Sequence, residues 1–307
     1  MQPGVKGTTK VFAVLGHPIG HTLSPVMYNA AFRELKMNSI YVALDVEKDR
    51  LEEAVKGIKA LGMQGGNVTI PLKEAIIPYL DGITEEARLI GAVNTFYWKE
   101  GEKLWGDNTD GAGFLAAGRK AEPQLLREKS AVILGAGGAA RAVAVALARA
   151  GMGELTLVNR NLEKAVTLAE QLEKLGAKVY VRSWPKGEAV KRAATEEKPT
   201  GRSETGADLE ELVKRSGLVV NTTPLGMAPH EEACPPLDLA LLHPGQLVVD
   251  LIYRPKETLF LRQAKARGCR VMNGLPMLLE QGVLSFQRWA GTDAPVEAMW
   301  KELERWV

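Results

Sequence analysis

The sequence predicts an α/β protein with two domains, and three observations support this prediction. Short apolar runs alternate with amphipathic stretches, which is typical of βαβ units and a parallel sheet. A second and more regular set of apolar runs begins at Ala131, and a glycine-rich turn directly follows its first run. The chain has 307 residues, which is long enough for two domains.

The first set of elements predicts a smaller α/β domain with a mainly parallel sheet. Its strands and helices are expected at residues 11–15 (strand), 26–36 (helix), 40–44 (strand), 51–61 (helix) and 66–70 (strand). Pro71 is expected to end the last strand, because proline has no amide hydrogen to donate to the ladder.

The second set predicts a compact, doubly wound parallel sheet of five strands. The strands are expected at residues 131–134, 155–158, 179–181, 218–220 and 247–251, with an alanine-rich helix at residues 139–150. Residues 182–210 contain many charged and small side chains and few large apolar ones. We therefore expect an exposed connection there that carries no chemistry.

Charge and composition limit the classes of partner. The 39 basic and 37 acidic residues are spread along the chain and leave a net charge of +2, so no basic stripe indicates nucleic acid or a membrane surface. No apolar run approaches the roughly 18 residues that span a bilayer, and the first residues do not read as a signal peptide, so we expect a cytoplasmic protein. Cys234 and Cys269 lie far apart without a histidine cluster, so we expect neither a disulfide nor a metal site.

The glycine-rich turn GAGGAA, residues 135–140, has a predicted strand before it and a predicted helix after it. In this context Gly135 permits the tight turn, Gly137 lets the backbone approach a pyrophosphate, and Ala140 allows close packing of the helix on the strand. The N-terminus of the helix then directs unpaired N–H groups at the phosphates. The turn predicts a Rossmann-type dinucleotide site, formed by Gly135, Ala136, Gly137, Gly138 and Ala139.

The end of the second strand of this sheet indicates which dinucleotide binds. An NAD site usually has an acidic side chain there for the ribose hydroxyls, but this chain has Asn159 and Arg160. A guanidinium can form a bidentate pair with a 2′-phosphate, and Lys164 one turn later can add positive charge. These residues favour NADP, and the alternative for each basic residue is an ordinary exposed side chain.

Seven motifs in order extend over essentially the whole chain. They are GHPIGHTLSP (residues 16–25, with Asn29 after it), NVTIPLK (67–73), GAVNT (91–95), DNTDG (107–111), NTTPLGM (221–227), DLIYRP (250–255) and GLPMLLEQG (274–282). With them the sequence resembles the shikimate dehydrogenase family, which includes shikimate/quinate dehydrogenases. The resemblance implies NADP-dependent, reversible reduction of 3-dehydroshikimate to shikimate.

Reducing a ring ketone requires a hydride donor and a proton donor beside the developing alkoxide. The resemblance implies that Lys73 and Asp110 are the catalytic pair. Lys73 is expected to donate the proton. Asp110 is expected mainly to hold the ammonium and a substrate hydroxyl, with shared proton transfer as the alternative.

The remaining site residues follow from hydrogen-bonding capacity and from the resemblance. The hydroxyls of Thr22, Ser24 and Tyr253 suit the substrate carboxylate, although the first two could also be ordinary helix caps. By resemblance the ring hydroxyls contact Asn67, Thr69, Asn94 and Gln281, and the cofactor also contacts Thr223, Met227 and Gly274.

Departures from the family pattern leave the substrate preference open. Thr22 stands where the family has the first serine of an SxS pair, and Tyr28 precedes Asn29 where the family has histidine. One alternative is therefore a quinate/shikimate dehydrogenase that uses NAD or both cofactors, and another is a non-catalytic ligand sensor. His17 and His21 are assigned to loop structure, because nothing in the sequence supplies a partner carboxylate for either.

The resemblance also implies the domain organisation. Residues 1–110, with 274–307 returning to them, are expected to form the substrate-binding domain, and residues 111–273 the NADP-binding domain. Such a protein would bind both reactants in a cleft between domains, as a monomer or a homodimer.

Overall fold

A computed structural model of the chain describes residues 4–123, 129–184 and 207–307. It consists of two compact units, one that contains the residues up to Gly113 together with Leu278–Val307, and one that contains Phe114–Met277. Most of the predicted polar connection, residues 185–206, lies outside the described residues. None of the described helices combines the length and hydrophobicity that a bilayer crossing requires.

The first unit contains a six-stranded sheet in the order β2-β1-β3-β5-β6-β4. Its elements are β1 (Lys10–Gly16), α1 (Ser24–Glu34), β2 (Ser39–Asp45), α2 (Leu51–Ala60), β3 (Gly65–Val68), β4 (Gly82–Ile83), α3 (Glu85–Ile90), β5 (Thr95–Lys99) and β6 (Lys103–Asp107), with α10 (Val296–Glu304) near the end of the chain. Helix α4 (Asp110–Ala121) begins in this unit and ends in the second, and α9 (Leu275–Ala290) begins in the second unit and ends in this one. Strands β2, β1 and β3 are parallel, and β5 is antiparallel to both β3 and β6. The predicted mainly parallel sheet is confirmed.

Aromatic side chains pack α1 and α9 onto the first unit's sheet. Trp289 of α9 contacts Phe12 with 4.6 Å between ring centroids, and Phe286 at 4.9 Å. Tyr28 of α1 is fully buried in the same cluster and packs against Tyr41, with 4.5 Å between the ring centroids. An aromatic side chain therefore fills the position at which the sequence departs from the family's histidine. Because such rings bury large apolar areas, this cluster fixes α9 against the sheet.

The second unit contains a wholly parallel sheet in the order β12-β11-β10-β7-β8-β9. Its elements are β7 (Ser130–Leu134), α5 (Gly138–Arg149), β8 (Glu154–Asn159), α6 (Leu162–Glu173), β9 (Lys178–Ser183), α7 (Leu209–Arg215), β10 (Leu218–Asn221), β11 (Leu247–Asp250), α8 (Leu259–Ala266) and β12 (Arg270–Met272). The strand order reverses between β7 and β10, which is the doubly wound arrangement. The predicted Rossmann-type sheet is confirmed, with six strands rather than five.

Three differences from the predicted elements have physical reasons. The strand predicted at residues 66–70 ends at Val68: the N–H of Thr69 donates the last bond of the β1–β3 ladder, to the carbonyl of Leu15, and Pro71 has no N–H to continue the ladder. The hairpin of β5 and β6 was missed because its aromatic, partly exposed residues do not form an apolar run. Strand β12 was missed because three residues are too few to show a period.

Gly66 should be important for the fold of the first unit, because its pairing partner in β1, Ala13, lies too close for a side chain. A Cβ at Gly66 would overlap the carbonyl oxygen of Ala13. We expect Gly66→Ala to lower the free energy of unfolding by about 3 kcal/mol, since a strand would have to move. Gly57→Ala is the matched control: its methyl meets no atom within 4 Å, and alanine in α2 should stabilise by about 0.5–1 kcal/mol. Urea unfolding followed by circular dichroism measures both changes, and equal stabilities for the two variants would contradict this packing argument.

Candidate active site

Lys73 and Asp110 form an ion pair in the first unit. Lys73 lies in the turn after β3, and Asp110 is the first residue of α4. Nζ of Lys73 is 2.5 Å from Oδ2 of Asp110, and the side chains are 16% and 7% exposed. The carbonyl of Lys73 also accepts a hydrogen bond from the N–H of Val93, which holds the turn. The ammonium is therefore fixed and largely shielded, yet part of it still faces solvent.

Asn94 holds the other oxygen of the Asp110 carboxylate. The N–H of Thr109 donates to Oδ1 of Asn94 at 2.8 Å, which turns the amide nitrogen toward the carboxylate. Nδ2 of Asn94 then donates to Oδ1 of Asp110 at 2.8 Å. Each oxygen of Asp110 thus has its own donor, and the carboxylate is held in one orientation.

Gln281 of α9 joins the same network. Its Oε1 accepts from Nδ2 of Asn94 at 3.2 Å, and its carbonyl accepts from Oγ1 of Thr109 at 3.1 Å. The close approach of α4 requires a glycine, because a Cβ at Gly113 would lie 2.6 Å from the main-chain nitrogen of Gln281. The glutamine is therefore positioned by packing as well as by hydrogen bonds.

Asn67 is held by two residues that the sequence analysis did not identify. The hydroxyl of Tyr41 donates to Oδ1 of Asn67 at 2.8 Å, and burial raises the pKa of Tyr41 well above its ordinary value, so this group remains a donor. Nδ2 of Asn67 donates to the carbonyl of Asn94 at 3.1 Å and to Oγ of Ser285 at 3.0 Å. Ser285 could have been found, because it lies four residues after Gln281 on the same face of α9.

Three other predicted substrate residues lie apart from this network. Oγ1 of Thr22 donates to Oγ of Ser24 at 3.2 Å and accepts from the Ser24 N–H at 3.3 Å. Ser24 begins α1, two residues before the predicted start of this helix at residue 26. Thr69 is partly buried just after β3. Within the described residues, no hydrogen bond joins these three hydroxyls to Lys73 or Asp110.

The expectation that His17 has no partner carboxylate was wrong. Nδ1 of His17 lies 2.8 Å from Oδ1 of Asp45, the last residue of β2. The parallel pairing of β1 with β2 brings the two strand ends together across 28 residues of sequence, which spacing alone did not reveal. Both side chains are exposed, so the pair is weakly held.

The glycine-rich turn of the second unit has the shape of a phosphate site. Gly135 has φ +118°, and a Cβ there would lie 2.5 Å from Oγ1 of Thr222. Gly137 precedes α5, no side chain caps this helix, and a Cβ at Gly137 would meet no atom within 4 Å. Ala140 is fully buried against the sheet. Uncapped N–H groups beside open space fit the pyrophosphate of a dinucleotide.

The end of β8 presents positive charge and no acid. Arg160 and Lys164 are both exposed, and the Asn161 side chain between them caps α6 by accepting from the N–H of Lys164 at 3.0 Å. The Asn159 amide donates to the carbonyl of Asn161 at 2.7 Å, which shapes this turn. Within the described residues Arg160 has no carboxylate partner. This donor set fits a 2′-phosphate better than free ribose hydroxyls.

The ends of β10 and β11 are joined by a buried carboxylate. Nδ2 of Asn221 donates to Oδ1 of Asp250 at 3.0 Å, and Oδ1 of Asn221 accepts from the N–H and the hydroxyl of Thr223. The loop that carries Thr223 and Met227 is therefore anchored to β11. In the sequence Asp250 is one residue of the motif at residues 250–255, and a single carboxylate at the end of an apolar strand does not indicate this anchoring role.

Two further predicted site residues lie near Asp250: Tyr253 follows it in the sequence, and Gly274 packs against the next residue, Leu251. Tyr253 is partly buried three residues after it, and the N–H of Ile252 between them donates to Oδ1 of Asp250 at 3.1 Å. A Cβ at Gly274 would overlap the carbonyl of Leu251, so this glycine has a packing reason besides its predicted contact with the cofactor.

Together these features define a class of protein: an α/β chain with a Rossmann-type dinucleotide sheet in one unit and a lysine–aspartate site in the other. No group of three or more described His, Cys, Asp or Glu side chains could hold a metal ion. The donors and open backbone of the glycine-rich turn and of the β8 end fit an NADP molecule.

Comparison with known proteins gives the family. Family models match residues 14–96 (shikimate dehydrogenase substrate binding domain), 117–183 (shikimate / quinate 5-dehydrogenase) and 274–304 (shikimate 5′-dehydrogenase C-terminal domain). The shikimate dehydrogenase (NADP(+)) of Moorella thermoacetica is 48% identical over 297 residues, which are 96% of this chain and 92% of the relative. The chain belongs to the shikimate dehydrogenase family.

Two solved structures are similar over nearly their whole length. Shikimate dehydrogenase from Thermus thermophilus in complex with NADP(H) and shikimate has a TM-score of 0.80 and 37% identity, and covers 97% of this chain and 100% of its own. Quinate dehydrogenase from Corynebacterium glutamicum in complex with NAD has a TM-score of 0.81 at 26% identity, and covers 97% and 99%. The predicted family and fold are confirmed.

Burial of Asp250 should make the stability of the chain depend on pH. Desolvation raises its pKa to about 6, whereas an unfolded aspartate ionises near 3.9. Between these values the folded chain binds more protons than the unfolded chain. The stability that protonated Asp250 contributes is therefore full below about pH 4 and is lost as pH rises through about 6, a change on the order of 2–3 kcal/mol.

We expect Asp250→Asn to remove this component. Urea unfolding measures the free energy of unfolding of both proteins near pH 4 and near pH 7. The difference between variant and wild type should be about 2 kcal/mol more in favour of the variant near pH 7 than near pH 4. Asp238→Asn, which removes an exposed carboxylate from the same unit, is the matched control. If the free energy of unfolding of Asp250→Asn differed from that of the wild type by the same amount at both pH values, Asp250 would not be a buried carboxylate with a raised pKa.

Proposed function

We propose that the chain catalyses the NADP-dependent, reversible reduction of 3-dehydroshikimate to shikimate, a step of the shikimate pathway to aromatic amino acids. The observation that carries this proposal is the 2.5 Å pair of Lys73 and Asp110, held by Asn94. The 48% identity to an NADP-dependent shikimate dehydrogenase supports the substrate and the cofactor.

Lys73 is proposed to give the proton. The nicotinamide supplies the hydride, and the developing alkoxide needs a donor beside it. An ammonium has three N–H donors, of which Asp110 takes one, so others remain for the substrate oxygen. Asp110 orients the ammonium and can accept a bond from a neighbouring ring hydroxyl.

The amide groups are proposed to select ring hydroxyls. Both hydrogens of Asn67 Nδ2 are used by Asn94 and Ser285, and Tyr41 donates to its Oδ1. One lone pair of Oδ1 remains, so Asn67 can only accept from a ligand, which suits a hydroxyl and not a ketone. Thr69, Asn94 and Gln281 are proposed as the other ring contacts, and Thr22, Ser24 and Tyr253 as the carboxylate contacts.

The second unit is proposed to bind NADP. The pyrophosphate would lie at the turn of Gly135, Ala136, Gly137, Gly138 and Ala139, and the 2′-phosphate at Asn159, Arg160 and Lys164. Thr223, Met227 and Gly274 are proposed on the nicotinamide side. In this proposal residues 1–110 with 274–307 are the substrate-binding domain and residues 111–273 the cofactor domain. We also propose a cytoplasmic enzyme that is a monomer or a homodimer.

Two alternative functions can be distinguished from the proposed one. A quinate/shikimate dehydrogenase with NAD or dual cofactor use is favoured by Thr22 in place of serine, because an added methyl beside the carboxylate changes the fit. The exposed Arg160 favours NADP instead. A non-catalytic sensor would not need a proton donor, and the intact Lys73–Asp110 pair speaks against it.

One assay tests the proposed function. Purified protein should form NADPH from NADP and shikimate, read at the absorbance of the reduced nicotinamide, and should do so faster than with quinate or with NAD. Faster turnover of quinate or preference for NAD would select the first alternative. Binding of shikimate without any turnover would select the sensor.

Lys73→Ala should abolish most turnover while leaving shikimate binding nearly unchanged. Loss of a positioned general acid typically costs about 10²–10⁴-fold in rate. The measurements are kcat from the NADPH assay and the Kd of shikimate from calorimetry. Lys59→Ala is the control, because Lys59 also forms an ion pair, at 2.8 Å with Asp81, but lies outside the proposed site. If Lys73→Ala retained wild-type kcat, the proton donor would have to be another group.

A further inference from the structure

Asp250 is a buried charged group that the proposed mechanism does not use. It is 0% exposed, and no Lys, Arg or His in the described part of the chain pairs with it. Its Oδ1 accepts from Asn221 at 3.0 Å and from the Ile252 N–H at 3.1 Å, and its Oδ2 accepts from the hydroxyl of Thr258 at 2.7 Å. All its hydrogen bonds therefore come from neutral groups.

An amide could keep most of these partners. An asparagine carbonyl could accept from Asn221 and Ile252, and its amide nitrogen could donate to Oγ1 of Thr258, although the hydroxyl proton of Thr258 would then lose its acceptor. Burying a carboxylate without a cation costs free energy that burying an amide does not. Besides one acceptor for the Thr258 hydroxyl, the carboxylate adds negative charge at this place.

The charge lies at the functional edge of the sheet. Asp250 and Asn221 are the paired last residues of β11 and β10, and β10 neighbours β7, which leads into the glycine-rich turn. Ligands of doubly wound sheets bind at these carboxyl ends, where the strand order reverses. Through Asn221, the carboxylate is two hydrogen bonds from Thr223.

Within the described residues, a thiol interacts electrostatically with Asp250. This is the thiol of Cys234, and burial raises its pKa to about 11, so it stays neutral near pH 7. The pKa of Asp250 itself is raised to about 6 by burial, which leaves the carboxylate ionised near pH 7 and protonated below about pH 6. The negative charge that Asp250 places at this edge is therefore removed by acid.

We propose that the Asp250 carboxylate makes the second unit bind oxidised cofactor more tightly than it otherwise would. The nicotinamide ring of NADP⁺ carries a positive charge that the ring of NADPH lacks, so a buried negative charge nearby acts on one form and not on the other. The same field stabilises positive charge that develops on the ring as the hydride leaves. This inference rests on the proposed function, because it requires Thr223 to lie on the nicotinamide side.

Asp250→Asn tests the proposal by equilibrium binding. The Kd of NADP⁺ is measured by calorimetry and that of NADPH by its fluorescence, both near pH 7.5. We expect the ratio Kd(NADP⁺)/Kd(NADPH) to rise about tenfold in the variant, with the Kd of NADPH nearly unchanged. Asp238→Asn, which removes an exposed charge from the same unit, should leave the ratio as in the wild type.

The wild-type protein provides a second measurement that does not depend on the variant. Its ratio should rise as pH falls through about 6, and the ratio of Asp250→Asn should stay flat. Titration of the 2′-phosphate cancels in the ratio of the two Kd values, because both forms of the cofactor carry this phosphate. Equal changes in both Kd values, or a wild-type ratio that does not respond to pH, would overturn the proposal. A wild-type protein that binds neither form would overturn the proposed function instead.

Discussion

The Lys73–Asp110 pair imposes a constraint that organises the first unit. A largely buried carboxylate beside an ammonium is stable only if each oxygen is satisfied, because an unpaired buried charge costs several kcal/mol. Lys73 satisfies one oxygen at 2.5 Å and Asn94 the other at 2.8 Å. The orientation of Asn94 then depends on the Thr109 N–H, and that of Thr109 on α9. The polar site is thus one connected network rather than a set of independent contacts.

Apolar packing keeps this network in register. Gln281 and Ser285 reach it from α9, and the same helix carries Phe286 and Trp289 into the aromatic cluster on β1 and β2. Because a helix places residues three and four apart on adjoining positions, one helix can offer polar groups to the site and rings to the core. Burial of the rings therefore fixes where the polar groups stand, at no further cost in ordering the helix.

The sequence predicted the features that are local in the chain. Apolar runs located β1, β2, β7, β8, β10 and β11 to within about two residues, since buried parallel strands are continuous in sequence. The glycine-rich turn was found because its strand, turn and helix are adjacent. Contacts between distant residues were not predicted: Tyr41 with Asn67, Ser285 with Asn67, and His17 with Asp45 are joined only by strand pairing or helix packing.

The buried carboxylates of Asp110 and Asp250 have different partners, and the difference separates a positioning role from an electrostatic one. Asp110 has a cation, so its charge is largely neutralised and what remains is geometry: it aims an ammonium. Asp250 has only neutral donors, so its charge is uncompensated and its field extends beyond its hydrogen bonds. Hydride transfer from a neutral ring to a ketone creates positive charge on the donor and negative charge on the acceptor oxygen. The neutralised Lys73–Asp110 pair, which has a proton to give, suits the acceptor oxygen of the ketone. The uncompensated carboxylate of Asp250 suits the nicotinamide ring that donates the hydride. The distribution of cations around these two carboxylates therefore matches the direction in which charge moves in the proposed reaction.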